Sequence, residues 1–300
     1  ASECKKMRIL LWGMTLLVSL WQCHGRDSLF SCFIKGSLTQ HFRKGIRCHS
    51  KNLWSIEECL EQRDTIKFLD GSWYHKGTRN GRKEFEEGPR IPGANYWDMD
   101  DMATSKELFP ELNPKGLRVM FPPKSLISST LQAMDIKTGS NGQSGSDDQI
   151  VIYGRRGCFF TPRIWYILKT FGHSKVGLLQ GSLEDWMEAG GPVETHPISY
   201  NIWARDIMQS SYYANIVTKL AQDGQVDKLE RILDQSDVMQ YLSTKNAKGE
   251  SSVKLFDTRG VDNYAKGHIP GATSIPYKTL VEPDNALKLK PRDELRKILE

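Results

Sequence analysis

The chain has 300 residues, of which 39% are hydrophobic and 26% charged, a composition typical of a folded globular protein rather than a disordered or fibrous one. Its formal net charge is +5, but residues 1–50 hold eight Lys and Arg against two acidic residues, so the rest of the chain is close to neutral. A near-neutral folded part argues against nucleic-acid binding, which requires a basic face. None of the six cysteines has C-x-x-C spacing, and a chain with this much core does not need a disulfide framework, so we expect free thiols.

Residues 1–50 are predicted to be a targeting or disordered segment outside the fold. Met7–Trp21 is an apolar run behind two lysines, and it is short for a transmembrane helix, so we expect no stable membrane insertion. Residues 26–50 are basic, rich in Ser and poor in acids, which is the composition of an organellar transit peptide. We therefore expect a mitochondrial protein. A secretory signal peptide or a cytoplasmic location are the alternatives.

The first elements after this segment alternate between helix and strand. A helix is predicted over Trp54–Gln62, capped by Ser50 or Asn52, and a strand over Ile66–Asp70. The polar stretch that follows is predicted to be a solvated loop with one helical turn at Lys83–Glu87. We expect the later acidic run 98–101 to be a solvated turn rather than a metal site, because no ligand spacing of a known type appears.

The middle of the chain predicts an α/β fold. A continuous apolar run at Gln149–Tyr153 is typical of a strand buried on both faces of a parallel sheet. Pro162 favours a helix start and Gly172 a helix end. Strands that alternate with helices indicate a parallel sheet flanked by helices. The other predicted elements here are the helix Lys124–Ile136, an exposed Gly/Ser-rich insertion at Thr138–Asp148, the strand Val176–Leu179 and the helix Ser182–Glu188.

One short phrase occurs twice. Arg90-Ile-Pro-Gly-Ala94 returns as His268-Ile-Pro-Gly-Ala272, and each copy follows an apolar strand that ends in an acid, Ile66–Asp70 and Val253–Asp257. A duplicated strand and loop predicts two copies of one domain. We divide the chain into a first domain at 56–190, a linker with helices at 191–250, and the beginning of a second domain at 251–300. The helices predicted in and next to the linker are Tyr213–Ala221 and Val226–Tyr241.

Residues 251–300 by themselves are a small part of a domain. A strand without its sheet neighbours leaves backbone groups unpaired and one apolar face in water. Ordering about fifty residues costs roughly 1–2 kcal/mol per residue for the backbone. Packing on the first domain would bury roughly 500 Å² and yield about 12 kcal/mol, several times less than this cost, so we expect this part of the chain to be loose.

These phrases resemble the rhodanese and 3-mercaptopyruvate sulfurtransferase family. The first-domain phrases keep the family's order: F-L-D-G-S-W-Y at 68–74, R-I-P-G-A at 90–94, I-V-I-Y at 150–153 and G-C-F-F-T-P-R-I-W at 157–165. L-F-D-T-R at 255–259 and Y-A-K-G-H-I-P-G-A-T at 264–273 resemble the start of the family's second domain. The resemblance implies tandem rhodanese-type α/β domains, with the second incomplete in this chain.

The resemblance also implies a chemistry. Members of the family move a sulfane sulfur from a small anionic donor, thiosulfate or 3-mercaptopyruvate, through a cysteine persulfide to a thiol or to a sulfur-carrier acceptor such as thioredoxin, without a cofactor. A thiolate of this kind is stabilised by backbone N–H groups at a helix N-terminus. The family's cysteine follows the second-domain counterpart of Ile150–Tyr153, so we expect it C-terminal to this chain. The first domain has Gly154 at that position. The alternative function is a non-catalytic rhodanese-like binding module.

Two residues are candidates for the site itself. Cys158 lies near Arg155 and Arg156, which would lower its pKa, yet it is four residues past the nucleophile position, and a buried structural thiol is the preferred interpretation. The resemblance implies that Arg259 joins a polar network with Asp257 and helps to hold the anionic donor.

The second-domain phrase also departs from the family. Where the family has a further arginine, this chain has Asn263, which cannot replace a bidentate guanidinium, so the usual donor is in question. His268 is not expected to bind a metal, because no cluster of ligand residues surrounds it in the sequence.

Overall fold

The computed structural model describes residues 51–75, 79–103, 106, 110, 113–138, 147–198, 233, 235–243 and 254–299. None of the helices in these ranges has the length and apolarity needed to cross a membrane. The strands are β1 Leu53–Trp54, β2 Ile66–Asp70, β3 Asn95–Tyr96, β4 Gln149–Tyr153, β5 Val176–Leu179, β6 Leu255–Asp257, β7 Ala272–Ser274, β8 Val281–Glu282 and β9 Asn285–Leu289. The α-helices are α1 Ile56–Gln62, α2 Gly81–Glu87, α3 Lys124–Ala133, α4 Thr161–Phe171, α5 Leu183–Glu188, α6 Gln235–Ser243, α7 Val261–Lys266 and α8 Arg292–Leu299.

A five-stranded parallel sheet forms the centre, in the order β1-β5-β4-β2-β3. Successive side chains of β4 enter different cores, as the two-residue period of a strand requires. Ile150 and Ile152 pack with residues of α3 and α4, whereas Val151 and Tyr153 pack with residues of α1 and α5. Burial on both faces explains why β4 is a continuous apolar run. The predicted α/β fold with a parallel sheet flanked by helices is confirmed.

The helix ends follow from local chemistry. Ser55 and Glu58 form a capping box at the start of α1, and Gly172 ends α4 in the left-handed conformation with φ 112°. The predicted start of the first helix at Trp54 was wrong, as were the predicted caps. Leu53–Trp54 instead adds to the sheet beside β5, and Ser55 caps the helix that follows.

Several further predictions differ from the structure or fall on residues outside the described ranges. The helical turn predicted at Lys83–Glu87 begins earlier, at Gly81, where Asn80 accepts the capping hydrogen bond, and α3 ends at Ala133. The acidic run is not a solvated turn, because Asp98 and Asp101 are largely buried and form ion pairs with Arg82. Most of the Gly/Ser-rich insertion and the helix Tyr213–Ala221 lie outside the described residues, and α6 overlaps the C-terminal end of the helix predicted at Val226–Tyr241.

The sequence repeat is also a structural repeat. Strand β6 pairs in parallel with β7 as β2 pairs with β3. In the first copy the amide of Trp97 donates to the carbonyl of Asp70 at 2.9 Å, and in the second the amide of Ile275 donates to the carbonyl of Asp257 at 2.9 Å. We call residues 51–198 the first unit and residues 254–299 the second unit.

The second unit packs on the first. Strands β8 and β9 form an antiparallel pair, which we call the hairpin, residues 281–289. Asn285 Nδ2 donates to Asp185 Oδ2 at 2.5 Å, and the amide of Leu289 donates to Gln180 Oε1 at 3.2 Å. The second unit, which was expected to be loose, forms strands and helices and contacts the first unit through its hairpin.

Candidate functional site

The first candidate site is the loop between β4 and α4, residues 154–160, which we call the β4–α4 loop. It lies at the carboxyl end of the parallel strands, where α/β proteins commonly bind ligands. Phe160 precedes α4 and provides no side-chain cap for it. The first backbone N–H groups of α4 therefore need other partners.

Cys158 supplies one such partner from inside the protein. Its side chain is fully buried, its thiol donates to the carbonyl oxygen of Gly71 at 3.6 Å, and the backbone N–H groups of Phe160, Trp73 and Thr161 act to lower its pKa. Burial raises the pKa of the Cys158 thiol to about 11, although the amide hydrogen bonds act in the opposite direction. The thiol is therefore neutral at physiological pH.

The pKa of Cys158 is raised although Arg155 is close in the sequence, and the guanidinium of Arg155 binds other groups. Arg155 Nη2 donates to the carbonyl oxygens of Glu84 at 3.0 Å and Pro89 at 2.6 Å, and Nε lies 3.8 Å from Asp70 Oδ2. Asp70 is fully buried, and burial raises the pKa of its carboxyl while Arg155 partly opposes that shift. Arg155 therefore ties the β4–α4 loop to β2 and α2.

Arg156 is likewise directed away from the thiol. Its Nη2 atom donates to Asp185 Oδ1 at 2.7 Å and to Glu188 Oε1 at 2.8 Å, both on α5. Its backbone N–H donates to the Glu184 carboxylate at 2.8 Å. The guanidinium is about half exposed, at 47%, and joins the loop to the start of α5.

Gly154 has no room for a side chain. A Cβ atom there would lie 3.0 Å from Thr161 Cγ2, 3.3 Å from Leu287 Cδ1 and 3.5 Å from Cys158 Sγ. Leu287 belongs to the hairpin, so the second unit itself lies over this position. The β4–α4 loop therefore contains one thiol, that of Cys158, which is buried and protonated.

The second candidate site is the carboxyl end of β6. Arg259 binds Asp257 in a bidentate ion pair, with Nε 2.9 Å from Oδ1 and Nη2 2.6 Å from Oδ2. The hydrogen bond from Arg259 is the main reason why the pKa of Asp257 is lowered. Arg259 Nη2 also donates to the carbonyl oxygen of Gly267 at 2.7 Å. The guanidinium is thus held in one orientation while about a third of the side chain, 31%, remains exposed.

Sequence reasoning identified Asp257 and Arg259 but missed the groups around them. His268 stacks on Tyr264 with ring centroids 3.8 Å apart, and its Nδ1 atom lies 3.0 Å from the Tyr264 carbonyl oxygen. The four-residue spacing of these two rings was the signal that could have revealed the contact. No group of three or more His, Cys, Asp or Glu in the described part of the chain is arranged to hold a metal ion.

The chain is similar to known sulfur-transfer proteins. The family model for the rhodanese-like domain matches residues 238–299. Thiosulfate sulfurtransferase of Cricetulus griseus is 25% identical over 243 residues, which cover 78% of this chain and 69% of that protein. A probable 3-mercaptopyruvate sulfurtransferase of Schizosaccharomyces pombe is 25% identical over 261 residues, covering 81% of this chain and 73% of that one.

Solved structures agree on the fold. The 3-mercaptopyruvate sulfotransferase SseA of Escherichia coli, described as having the rhodanese fold, superposes with a TM-score of 0.55 at 22% identity and covers 82% of this chain and 81% of its own. Tum1 of Saccharomyces cerevisiae gives a TM-score of 0.52 at 21% identity, covering 83% of this chain and 78% of its own. The rhodanese-type architecture expected from the sequence is confirmed.

Proposed function

We propose that this chain, which belongs to the rhodanese and 3-mercaptopyruvate sulfurtransferase family, is part of an enzyme that moves a sulfane sulfur from thiosulfate or 3-mercaptopyruvate to a thiol acceptor. The observation that carries the proposal is the extent of the similarity. It runs through about four fifths of the chain in relatives that are themselves named for this activity.

The reaction requires a reactive cysteine. Its thiolate attacks the outer sulfur of thiosulfate, the S–S bond breaks, and sulfite leaves with the electron pair. The thiolate of the acceptor then attacks the outer sulfur of the persulfide, which releases the enzyme's thiolate. Cys158 is a poor candidate for this role, because it is buried and its pKa is raised to about 11. We therefore propose that the reacting cysteine lies C-terminal to Glu300.

Arg259 is the proposed contact for the donor. Thiosulfate and mercaptopyruvate are both anions, and a guanidinium held by a neighbouring carboxylate presents its remaining N–H groups in a fixed direction. The bidentate pair with Asp257 and the hydrogen bond to Gly267 support this role. Asn263 stands where the family has a second arginine, so we propose as donor the class that thiosulfate and mercaptopyruvate share, a small sulfur-bearing anion.

Two measurements test the proposal. Residues 1–300 should release no thiocyanate from thiosulfate and cyanide above background, and a protein that also contains the residues after Glu300 should do so. Thiocyanate release by residues 1–300 that disappears in Cys158→Ala would show that the reactive thiol is Cys158 and would contradict the assignment.

Donor binding is measured separately by titration calorimetry with thiosulfate. Arg259→Ala should weaken binding by about tenfold or more, as expected for the loss of a charge-assisted contact. Arg63→Ala removes a guanidinium of the first unit that is 53% exposed, and it should leave the affinity unchanged. Equal affinity in both variants would rule out Arg259 as the donor contact.

A binding module is the second candidate function. It is favoured by the β4–α4 loop, whose single thiol is buried and protonated, so that the first unit by itself is suited to holding a partner rather than to reacting with it. The partner would be a thiol protein or sulfur carrier such as thioredoxin. A protein extended beyond Glu300 that binds such a carrier but shows no turnover would support this function over the enzyme.

We also propose a mitochondrial location. The support comes from the basic, Ser-rich residues 26–50 and from a relative in Arabidopsis thaliana, 26% identical over 249 residues, that is named as mitochondrial.

A further inference from the structure

The hairpin of the second unit lies over the β4–α4 loop and the start of α5. We propose that this part of the first unit is a docking platform that fixes the second unit in place, and that Gly154 is the residue that lets the hairpin approach. The platform includes the β4–α4 loop, whose counterpart in the family's second domain is expected to carry the nucleophile. In the first unit this loop acts as an interaction surface instead. The proposal goes beyond sulfur transfer and does not depend on which cysteine reacts or which donor is used.

The polar half of the platform is the carboxylate of Asp185. Its Oδ2 atom accepts hydrogen bonds from the backbone N–H of Ser182 at 2.7 Å, from the Ser182 hydroxyl at 2.9 Å and from Asn285 Nδ2 at 2.5 Å, while Oδ1 accepts from Arg156. The amide oxygen of Asn285 accepts from the backbone N–H of Leu287 at 3.0 Å. Both ends of the buried Asn285 amide are therefore used, one on each unit.

The apolar half is the contact between Leu287 and Gly154. Leu287 is buried, and its Cδ1 atom would lie 3.3 Å from a Cβ atom at position 154. Gly154 does not have a positive φ, unlike Gly157 in the same loop with φ 86°. The backbone conformation therefore does not require glycine at 154. Glycine is required because a Cβ atom would have no room at this position, and part of the surrounding space is filled by the hairpin.

An aromatic contact connects the platform to the carboxyl end of β6. Phe159 of the β4–α4 loop stacks on Tyr277, with ring centroids 5.2 Å apart and the planes inclined by 21°. The backbone N–H of Tyr277 donates to the carbonyl oxygen of Thr258 at 3.0 Å, and Thr258 is the residue before Arg259. Docking of the second unit therefore sets where the Asp257–Arg259 pair lies relative to the first unit.

Hydrogen–deuterium exchange of the whole chain, read by mass spectrometry, tests the platform. The backbone amide of Leu289 reports docking, because it donates to Gln180 of the first unit. In Asn285→Ala and in Gly154→Val this amide should exchange about tenfold faster or more. That is the change expected when one hydrogen bond to a charged group is lost. Amides of β4 should keep their wild-type exchange rates, because the first unit remains folded.

The matched controls are Asn263→Ala and Gly260→Val. Asn263 is an exposed residue of α7, and a Cβ atom at Gly260 would have no neighbour within 4 Å. Both controls should leave exchange of the hairpin unchanged. Because Asn285→Ala and Gly154→Val both weaken the same docked state, the double variant should exchange at least as fast as the faster single variant.

Three outcomes would overturn the proposal. Unchanged exchange at Leu289 in both single variants would mean that the platform does not hold the hairpin. Faster exchange in β4 to the same degree as in the hairpin would mean that Gly154 serves the fold of the first unit instead. Slower exchange at Leu289 in the double variant than in both single variants would mean that the two substitutions do not weaken one docked state.

Discussion

Replacing Arg155 with Met should strongly destabilise the first unit. The guanidinium is 7% exposed, donates to the carbonyl oxygens of Glu84 and Pro89, and lies 3.8 Å from the fully buried carboxyl of Asp70. Removing one partner of a buried ion pair costs about 3–5 kcal/mol, because the other charge is left uncompensated. Two lost hydrogen bonds from a charged donor, at about 1.5–3 kcal/mol each, give a similar figure. This is a large part of the roughly 5–15 kcal/mol by which domains are stable.

The loss should depend on pH in a defined direction. Burial raises the pKa of Asp70 in the folded protein, and removing the guanidinium raises it further. A carboxyl whose pKa is higher in the folded than in the unfolded state stabilises the fold at low pH, and that stabilisation is lost as the pH rises through the folded value. The destabilisation of Arg155→Met should therefore be larger at neutral pH than near pH 4.

The assay is urea unfolding at pH 7.5 and at pH 4, followed by tryptophan fluorescence. Arg156→Met is the matched control, because it makes the same change at the next residue, where the guanidinium is half exposed and its ion pairs with α5 lie at the surface. Such pairs are worth about 0.2–1 kcal/mol. A loss below about 1 kcal/mol for Arg155→Met at pH 7.5, or one that does not shrink at pH 4, would show that the buried pair with Asp70 does not stabilise the first unit in this way.

Gly177→Ala should destabilise the first unit by about 1–3 kcal/mol in thermal unfolding, because the new Cβ atom would lie 2.5 Å from Trp54 Cδ1. A change in stability no larger than the experimental error would show that β1 shifts freely. In the native protein, Cys59 and Cys158 should react with a thiol reagent at pH 8 far more slowly than in urea, since burial raises their pKa values to about 12 and about 11. Mass spectrometry of labelled peptides measures the two reaction rates. Rapid labelling of Cys158 would contradict its burial. A reporter fused to residues 1–55 should enter mitochondria, and its secretion would favour a signal peptide.

The central sheet could be predicted from the sequence because its signals are local. Gln149–Tyr153 matches β4, and Ile66–Asp70 matches β2, residue for residue. A strand covered on both faces is apolar throughout, and that pattern is visible without knowing what covers it. Pro162 and Gly172 indicated α4 for a similar reason, since their backbone preferences act at the helix ends themselves.

Elements that depend on distant partners could not be predicted in this way. Leu53–Trp54 has the apolar character of a helix start, and it becomes a strand only because β5, more than 120 positions later, pairs with it. The partners of Arg155 depend on distant residues for the same reason. Arg155 is near Cys158 in the sequence, but its guanidinium donates to the carbonyl oxygens of Glu84 and Pro89, and the Cys158 thiol is buried.

The α/β class and the duplicated rhodanese-type strand and loop can be read from the chain alone, because periodicity, caps and repeated phrases are properties of neighbouring residues. The contacts of the β4–α4 loop become visible only in the folded chain. The contact between Gly154 and Leu287 and the hydrogen bond between Asp185 and Asn285 join residues 100 or more positions apart. Burial, charge compensation and docking are set by such long-range contacts, and the order of residues along the chain does not encode them in any local pattern.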